Sequence, residues 1–282
     1  MPPPLPYPAQ QVHKYDHDRY LLSLFAPAER REDLLTLFAF NLELSHIREQ
    51  VSEPLLGQMR LQWWRDSLAE IYASNKVPAH EILRPLAELI TRYHLPAALL
   101  EEMVDAREFD LDENPPKTLD DFYALTLKTS APLAKLAAPI LGASFSDGVT
   151  IVSAAEVYAI VGQLRSISYM ARQRRLYLPQ DLLHKYAVLP TRLFELKRLP
   201  ALNDLVHEIG MSVQNKIKAA KAMRRTIMPK ERKRLAPLLL YADLAQLHLK
   251  VIRRYGYNVL APRVGLRHPL DLLYLMGKNL AL

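Results

Sequence analysis

The chain has no cysteine among its 282 residues, which excludes disulfides, thiolate metal sites and cysteine nucleophiles. It has only 8 glycines, and its apolar residues are mostly Leu and Ala rather than Val and Ile. That composition favours helix over sheet, because strands draw on β-branched residues and glycine-rich turns. No stretch offers the roughly 18 uninterrupted apolar residues that a membrane span requires. The opening MPPPLPYPAQQ carries no charge and no apolar run, unlike a secretory signal or an arginine-rich transit peptide. A GxSxG elbow, a P-loop and a dinucleotide fingerprint are missing too. These absences leave a helical protein that is soluble or at most bound to a membrane surface.

Periodicity fills in the helices. Apolar residues at three–four spacing predict helices at about 12–25, 30–51, 52–71, 80–93, 97–109, 118–141, 149–171, 200–228, 232–254 and 268–279. Leu34, Leu37, Phe38, Asn41, Leu44, Ile47 and Val51 mark the buried face of the second. Thr118 and Asp121 have the spacing of a capping box, hydroxyl and carboxylate each satisfying a free amide at a helix start. The 21 prolines fall mainly between these segments, as punctuation. No strand pattern, linker or repeat interrupts the series. The reading is a single all-α domain over 12–282, after a proline-rich N-terminal tail at 1–11.

The formal net charge of +7 hides an asymmetry. Residues 1–150 carry 14 Lys and Arg against 22 Asp and Glu, whereas residues 151–282 carry 23 against 8. A bias of this kind suits a basic face turned towards something anionic, although single charges most often only solubilise a surface. Three stretches stand out. In FAFNLELSHIREQVSE, Glu43, His46, Glu49 and Glu53 lie three or four apart, a spacing that lets a His and carboxylates share a helix face and ligate a divalent metal. A solvated polar face explains the same residues and is the favoured reading. In QLRSISYMARQRRLYLP, Arg165, Arg172, Arg174 and Arg175 suit phosphate or carboxylate contacts, or make a basic surface patch. In 216–234, Lys216, Lys218, Lys221, Arg224, Arg225, Lys230, Arg232, Lys233 and Arg234 alternate with Ile217, Ala220, Met223 and Ile227. This reads as an amphipathic basic helix for anionic lipid or an acidic partner. It lacks the interleaved aromatics of a nucleic-acid surface, so nucleic acid is not an expected partner.

Taken in order, these stretches resemble the squalene/phytoene synthase family. The likeness runs from DRYLLSLFAPAERREDLLTLFAFN through QWWRDSLAEIY and TLDDFYALTLKTSAPLAKLAAPILG to RRLYLPQDLL. It implies the all-α isoprenoid synthase bundle. It also implies two aspartate-rich motifs on facing helices, whose carboxylates hold Mg²⁺ ions that bind a prenyl diphosphate and stabilise its departure. This chain departs from the pattern at both motifs. Aligned on Phe40, the first falls on Ser45, His46 and Glu49, where only Glu49 is acidic. Aligned on Tyr177-Leu178-Pro179, the second falls on Ser166 and Met170, with Arg165 and Arg175 kept. A thioether is too soft a ligand for Mg²⁺.

The wording of FNLELSHIREQVSE and LLGQMRLQWWRDSLAEIY resembles a divergent branch of that family, which includes the mitochondrial complex I (NADH dehydrogenase) assembly factor and bacterial relatives. The resemblance implies a catalytically silent pseudoenzyme serving as an assembly or scaffold factor, without metal or other cofactor. Its partners would be a protein client such as a complex I subunit, an anionic membrane surface, and an isoprenoid or quinone-like lipid held near Arg165, Arg175 and Tyr177. The expected place is the cytoplasmic side of a bacterial inner membrane, or the matrix side in a mitochondrion. The alternative is an active head-to-head prenyl transferase that uses Mg²⁺ through Glu49 and acids such as Asp105 or Asp110.

Overall fold

Leucine stripes at helical spacing close over one another wherever a proline or a capping residue ends a helix. The computed structural model describes residues 5–74, 76–112, 114–143, 148–266 and 268–282. The first half comprises α1 (Tyr7–Tyr15), α2 (His17–Ser23), α3 (Ala28–His46), α4 (Pro54–Ser74), α5 (Leu83–Tyr93), α6 (Ala97–Asp105) and α7 (Leu119–Ile140). The second comprises α8 (Gly148–Arg172), α9 (Gln180–Lys185), α10 (Pro190–Leu193), α11 (Pro200–Met223), α12 (Pro229–Arg234), α13 (Ala236–Leu239), α14 (Tyr241–Arg254), α15 (Pro262–Gly265) and α16 (Asp271–Asn279). No strand occurs among the described residues.

The all-α single domain is therefore as read from the sequence, and the capping box is in place: the Thr118 hydroxyl accepts the Asp121 amide at 3.1 Å, and the Asp121 carboxylate accepts the Thr118 amide at 3.0 Å. Helix α8 is the axis of the second half, packed on α7, α11, α13, α14 and α15. Helix α3 organises the first half, against α1, α2, α5, α6 and α7. One continuous core joins them, with Phe38, Phe40 and Phe122 at its bulkiest points.

Several boundaries differ from the sequence reading, each for a local reason. The tail is shorter than 1–11: residues 7–11 form the start of α1, and Pro8 and Ala9 are buried against the bundle, while residues 1–4 lie outside the described residues. The expected helix at 12–25 is broken at Asp16, whose carboxylate accepts the Arg19 amide and caps α2. Helix α3 stops at His46, followed by a 3₁₀ turn at Ile47–Gln50 and an extended Val51. Helix α11 ends at Met223, and Met228 is extended because Pro229 disfavours a helical conformation before it. The predicted 232–254 helix is divided at Leu235, where Pro237 has no amide to continue the ladder, and again at Leu240.

Candidate functional site

Tyr169 on α8 lies near Glu49 in the turn after α3, and burial first, then that carboxylate, raises its phenol pKa. The donors around this contact point elsewhere. Ser45 donates its hydroxyl to the Leu42 carbonyl at 2.8 Å, and Ser166 donates to the Gln163 carbonyl at 2.9 Å. The His46 ring meets the Tyr15 ring edge-on at 5.6 Å. Because α3 ends at His46, Glu43, His46, Glu49 and Glu53 do not share one helix face. Among the described residues no three His, Asp or Glu side chains form a group placed to hold a metal ion. With Met170 completing the set, these residues do not fit Mg²⁺, which needs several hard oxygen ligands converging in an octahedron.

The acids named for the alternative are engaged as well. Asp105 accepts from Arg65 at 2.9 and 2.7 Å, and Arg65 also pairs with Glu108 at 2.6 Å. Asp110 pairs with Arg107 at 3.3 Å and accepts the Tyr177 hydroxyl at 3.0 Å. Arg175 donates to the Asp110 carbonyl at 2.8 Å and bonds the Tyr177 hydroxyl. Arg107 in turn reaches Asn41 on α3 at 3.1 Å. Burial first, then the Asp110 charge, pushes the Tyr177 phenol well up. This relay, from Asn41 to Arg175, ties α3 to the loop after α8. Of its members the sequence reading had named Arg175 and Tyr177 as ligand contacts and Asp110 only as an alternative ligand.

Behind the second motif little space remains. The cavity lined by Gln163, Ser166, Ile167, Met170, Arg175 and Tyr177, with Leu176 and Leu193, measures about 10 Å³. That is near the ~10–15 Å³ needed for a single water, far below the ~300 Å³ or more of a ligand pocket. The isoprenoid or quinone-like chain implied by the resemblance does not fit that pocket. A surface cleft of 460 Å³ lies outside it, lined by Arg48, Arg174, Arg175, Tyr177, Phe109 and Phe194 among others.

Arg165 does not join that cleft. It pairs with Asp18 on α2 at 2.8 Å. Asp18 also meets His248 Nε2 at 2.9 Å and accepts the Tyr158 hydroxyl at 3.3 Å. Burial alone would raise the Asp18 carboxyl, but the hydrogen bond and charge of His248 and the charge of Arg165 outweigh it and hold it well below its ordinary value. Beside it Arg19 bonds Asp16 and donates to Tyr241 at 3.1 Å, and burial pushes the Tyr241 phenol up to about 12. The network clamps α2, α8 and α14 together. Sequence reasoning missed it because its members stand up to 230 positions apart.

The basic stretch 216–234 is not one face. Lys216 pairs with Glu156 at 2.9 Å over the Tyr123 ring. Lys221 and Arg224 approach the fully buried Asp243 at 2.7 and 2.5 Å, and Arg224 is itself buried, donating to the Leu239 carbonyl. Neither approach to Asp243 lies along a hydrogen-bonding direction, so the cluster is held by charge. Arg232 is half-buried, which leaves Lys218, Arg225, Lys230, Lys233 and Arg234 exposed. An exposed apolar strip lies on the other half of the molecule, where Leu55, Leu56, Met59 and Trp63 stand out along α4.

The fold is that of the helical isoprenoid synthases: it superposes on a dehydrosqualene synthase with a TM-score of 0.81 at 18% identity, covering 98% of this chain and 94% of that one. At that identity the likeness establishes the fold alone. The chain belongs to the squalene/phytoene synthase family, whose model matches residues 12–269. It is 27% identical over 271 residues to the human protein named NADH dehydrogenase (ubiquinone) complex I, assembly factor 6, across 95% of this chain and 80% of that protein. The chloroplastic phytoene synthase of Daucus carota is more distant, 22% identical over 189 residues, spanning 64% of this chain and 47% of its own length.

Proposed function

We propose that this chain is a catalytically silent assembly or scaffold factor for respiratory complex I, working at a membrane surface without a metal cofactor. The observation that carries the reading is the motif site. Where a synthase holds a metal-bound diphosphate, this chain has two serines bonded back into their own helices, a thioether and a cavity of about 10 Å³. A diphosphate does not leave without hard cations to neutralise it, and these ligands do not gather them. The similarity to the human assembly factor, which spans nearly the whole chain, gives the direction of the alternative role. The α4 strip of Leu55, Leu56, Met59 and Trp63, in the acidic half, is the surface offered to the protein client.

The test is deletion of the gene in its host, followed by native-gel quantification of complex I and by NADH:quinone oxidoreductase activity. Complex I is expected to fall, and a copy carrying Glu49→Gln is expected to restore it as fully as the unaltered gene. Normal complex I in the deletion strain would sink the proposal. Failure of Glu49→Gln to restore it, with a prenyl product made by the unaltered protein, would return the prenyl-transferase reading.

A further inference from the structure

The outward face of α16 carries no charge. Its exposed positions are Leu273, Met276 and Gly277, and the line continues through Leu270 before the helix and Leu280 after it. Leu273 is 61% exposed, Met276 49% and Leu280 90%. The inner face is ordinary: Leu275 is fully buried, and Asp271 accepts the His268 amide from within the bundle. Lys278, the single basic residue of the helix, lies over the Tyr274 ring at 5.4 Å. A surface helix in water puts polar residues outward, so an apolar outward stripe marks a contact with something other than water.

The surroundings of the stripe say what that contact is. Helix α16 packs on α14, and its Tyr274 lies within the fields of Asp243 and Arg224, which sets α16 beside the Lys221–Asp243–Arg224 cluster. Residues 211–282 hold fifteen Lys and Arg against three Asp and Glu. Two of those acids, Asp243 and Asp271, are buried, and Glu231 is half-buried. The exposed bases of α14, on which α16 packs, and of the neighbouring α11 and 224–226 turn, among them Lys218, Arg225, Lys250, Arg253 and Arg254, thus have few surface anions to meet in this part of the chain. A second copy docking through the same stripe would bring two cationic flanks together and repel. An anionic bilayer satisfies both features at once, taking leucines into the boundary between headgroups and acyl chains and bases onto phosphates.

We infer that α16 is an interfacial membrane helix, with the Leu270–Leu280 stripe seated in an anionic bilayer and the exposed bases of α11, α14 and the 224–226 turn resting on its headgroups. This inference rests on the peripheral-membrane part of the proposed function, and moves the principal contact from the 216–234 stretch to α16.

Flotation of the full chain with vesicles tests it, using phosphatidylcholine alone and phosphatidylcholine mixed with phosphatidylglycerol. The chain is expected to bind the mixed vesicles more tightly, and added salt to weaken that binding without abolishing it. Leu273→Asp with Met276→Asp should weaken binding about tenfold or more, since it charges two side chains that would otherwise enter the apolar layer. Both positions are exposed, so circular dichroism and thermal midpoint should stay at their original values. Lys218→Glu with Arg225→Glu should weaken binding to the mixed vesicles and leave the neutral ones unchanged. Unaltered binding by the Leu273→Asp, Met276→Asp protein would overturn the inference. So would absence of vesicle binding together with a dimer, seen by sedimentation, that the same pair of changes dissolves. If complex I falls in the deletion strain while that variant still binds vesicles, this inference alone fails. If complex I stays normal, the assembly reading fails whatever the vesicles show.

Discussion

Arg224 and Arg225 are neighbours in sequence with opposite fates, and their replacement by Ala measures how much of the basic stretch is structural. Arg224 is 8% exposed and lies 2.5 Å from the fully buried Asp243, with a further bond to the Leu239 carbonyl. Removing one partner of a buried ion pair costs about 3–5 kcal/mol, because the remaining charge stays desolvated. Lys221 still stands 2.7 Å from Asp243, which places Arg224→Ala near the lower end, about 3 kcal/mol. Against a total stability of roughly 5–15 kcal/mol this is a large loss. Arg225 is exposed, and its replacement should stay within about 0.5 kcal/mol. Urea unfolding followed by far-ultraviolet circular dichroism reads both as shifts of the midpoint at unchanged slope. The double change Arg224→Met, Asp243→Leu should recover most of the loss, since apolar replacement of a buried pair is often close to neutral. If Arg224→Ala and Arg225→Ala unfold at the same urea concentration, the buried-cluster argument is wrong.

Three more outcomes are expected. Asp18→Asn should destabilise the chain by about 3 kcal/mol at neutral pH, by leaving Arg165 with no counter-ion inside the bundle. The folded Asp18 carboxyl sits below its ordinary value, so its contribution is complete above about pH 4 and is lost as pH falls further; the variant should show a flatter decline in acid unfolding, and an identical decline would refute the linkage. Arg174 closes α8 in the left-handed region at φ 56°, where glycine avoids a cost of about 1 kcal/mol. Arg174→Gly should raise the unfolding midpoint slightly, and a fall would show that the guanidinium over the Phe194 ring matters more than the backbone. Calorimetry with farnesyl thio-diphosphate should show no magnesium-dependent binding, even after Ser45→Asp, Ser166→Asp and Met170→Asp, because the neighbouring pocket measures only about 10 Å³; magnesium-dependent heat from the unaltered chain would restore the enzyme reading.

Much of the fold could be read from periodicity, since leucine stripes report helix faces without any knowledge of what they pack against. The three–four spacing along 149–171 gave α8 to within a residue at each end, and Thr118 gave the start of α7. What periodicity does not report is the partner. Arg165 and Arg175 looked equivalent as arginines flanking one motif, yet Arg165 turns to α2 and Arg175 to the 108–111 turn. Likewise a basic stretch looks the same whether its lysine meets water or a buried aspartate on another helix; Asp243 lies 22 positions after Lys221, with three helix breaks between them. That Ser45, His46, Ser166 and Met170 carry no carboxylate can be read directly, because it is a matter of residue type. The small pocket beside Ser166 and Met170 cannot, because it depends on how α8, the loop at 173–179 and α10 close together.

The residue types at the motif positions and the small pocket beside them fit one another physically. A working prenyl synthase bears two burdens on stability: clustered carboxylates that repel until metal binds, and an apolar chamber left open for a long chain. Among the described residues no such carboxylate cluster occurs, and the pocket beside Ser166 and Met170 measures about 10 Å³. Ser166 and Met170 repel nothing, and the space beside them is reduced to the size of one water. Three acids of the bundle are each paired with an arginine: Asp110 with Arg107, Asp105 with Arg65, Asp18 with Arg165. A bundle packed in this way holds its outer faces at a set distance, which is what the proposed scaffold role requires. The charge-free stripe of α16 and the tryptophan-bearing strip of α4 lie on such outer faces, one in the basic half and one in the acidic half. Substitutions on these two faces should therefore change complex I assembly while leaving the thermal midpoint where it is, whereas substitutions in the old motif should do the reverse.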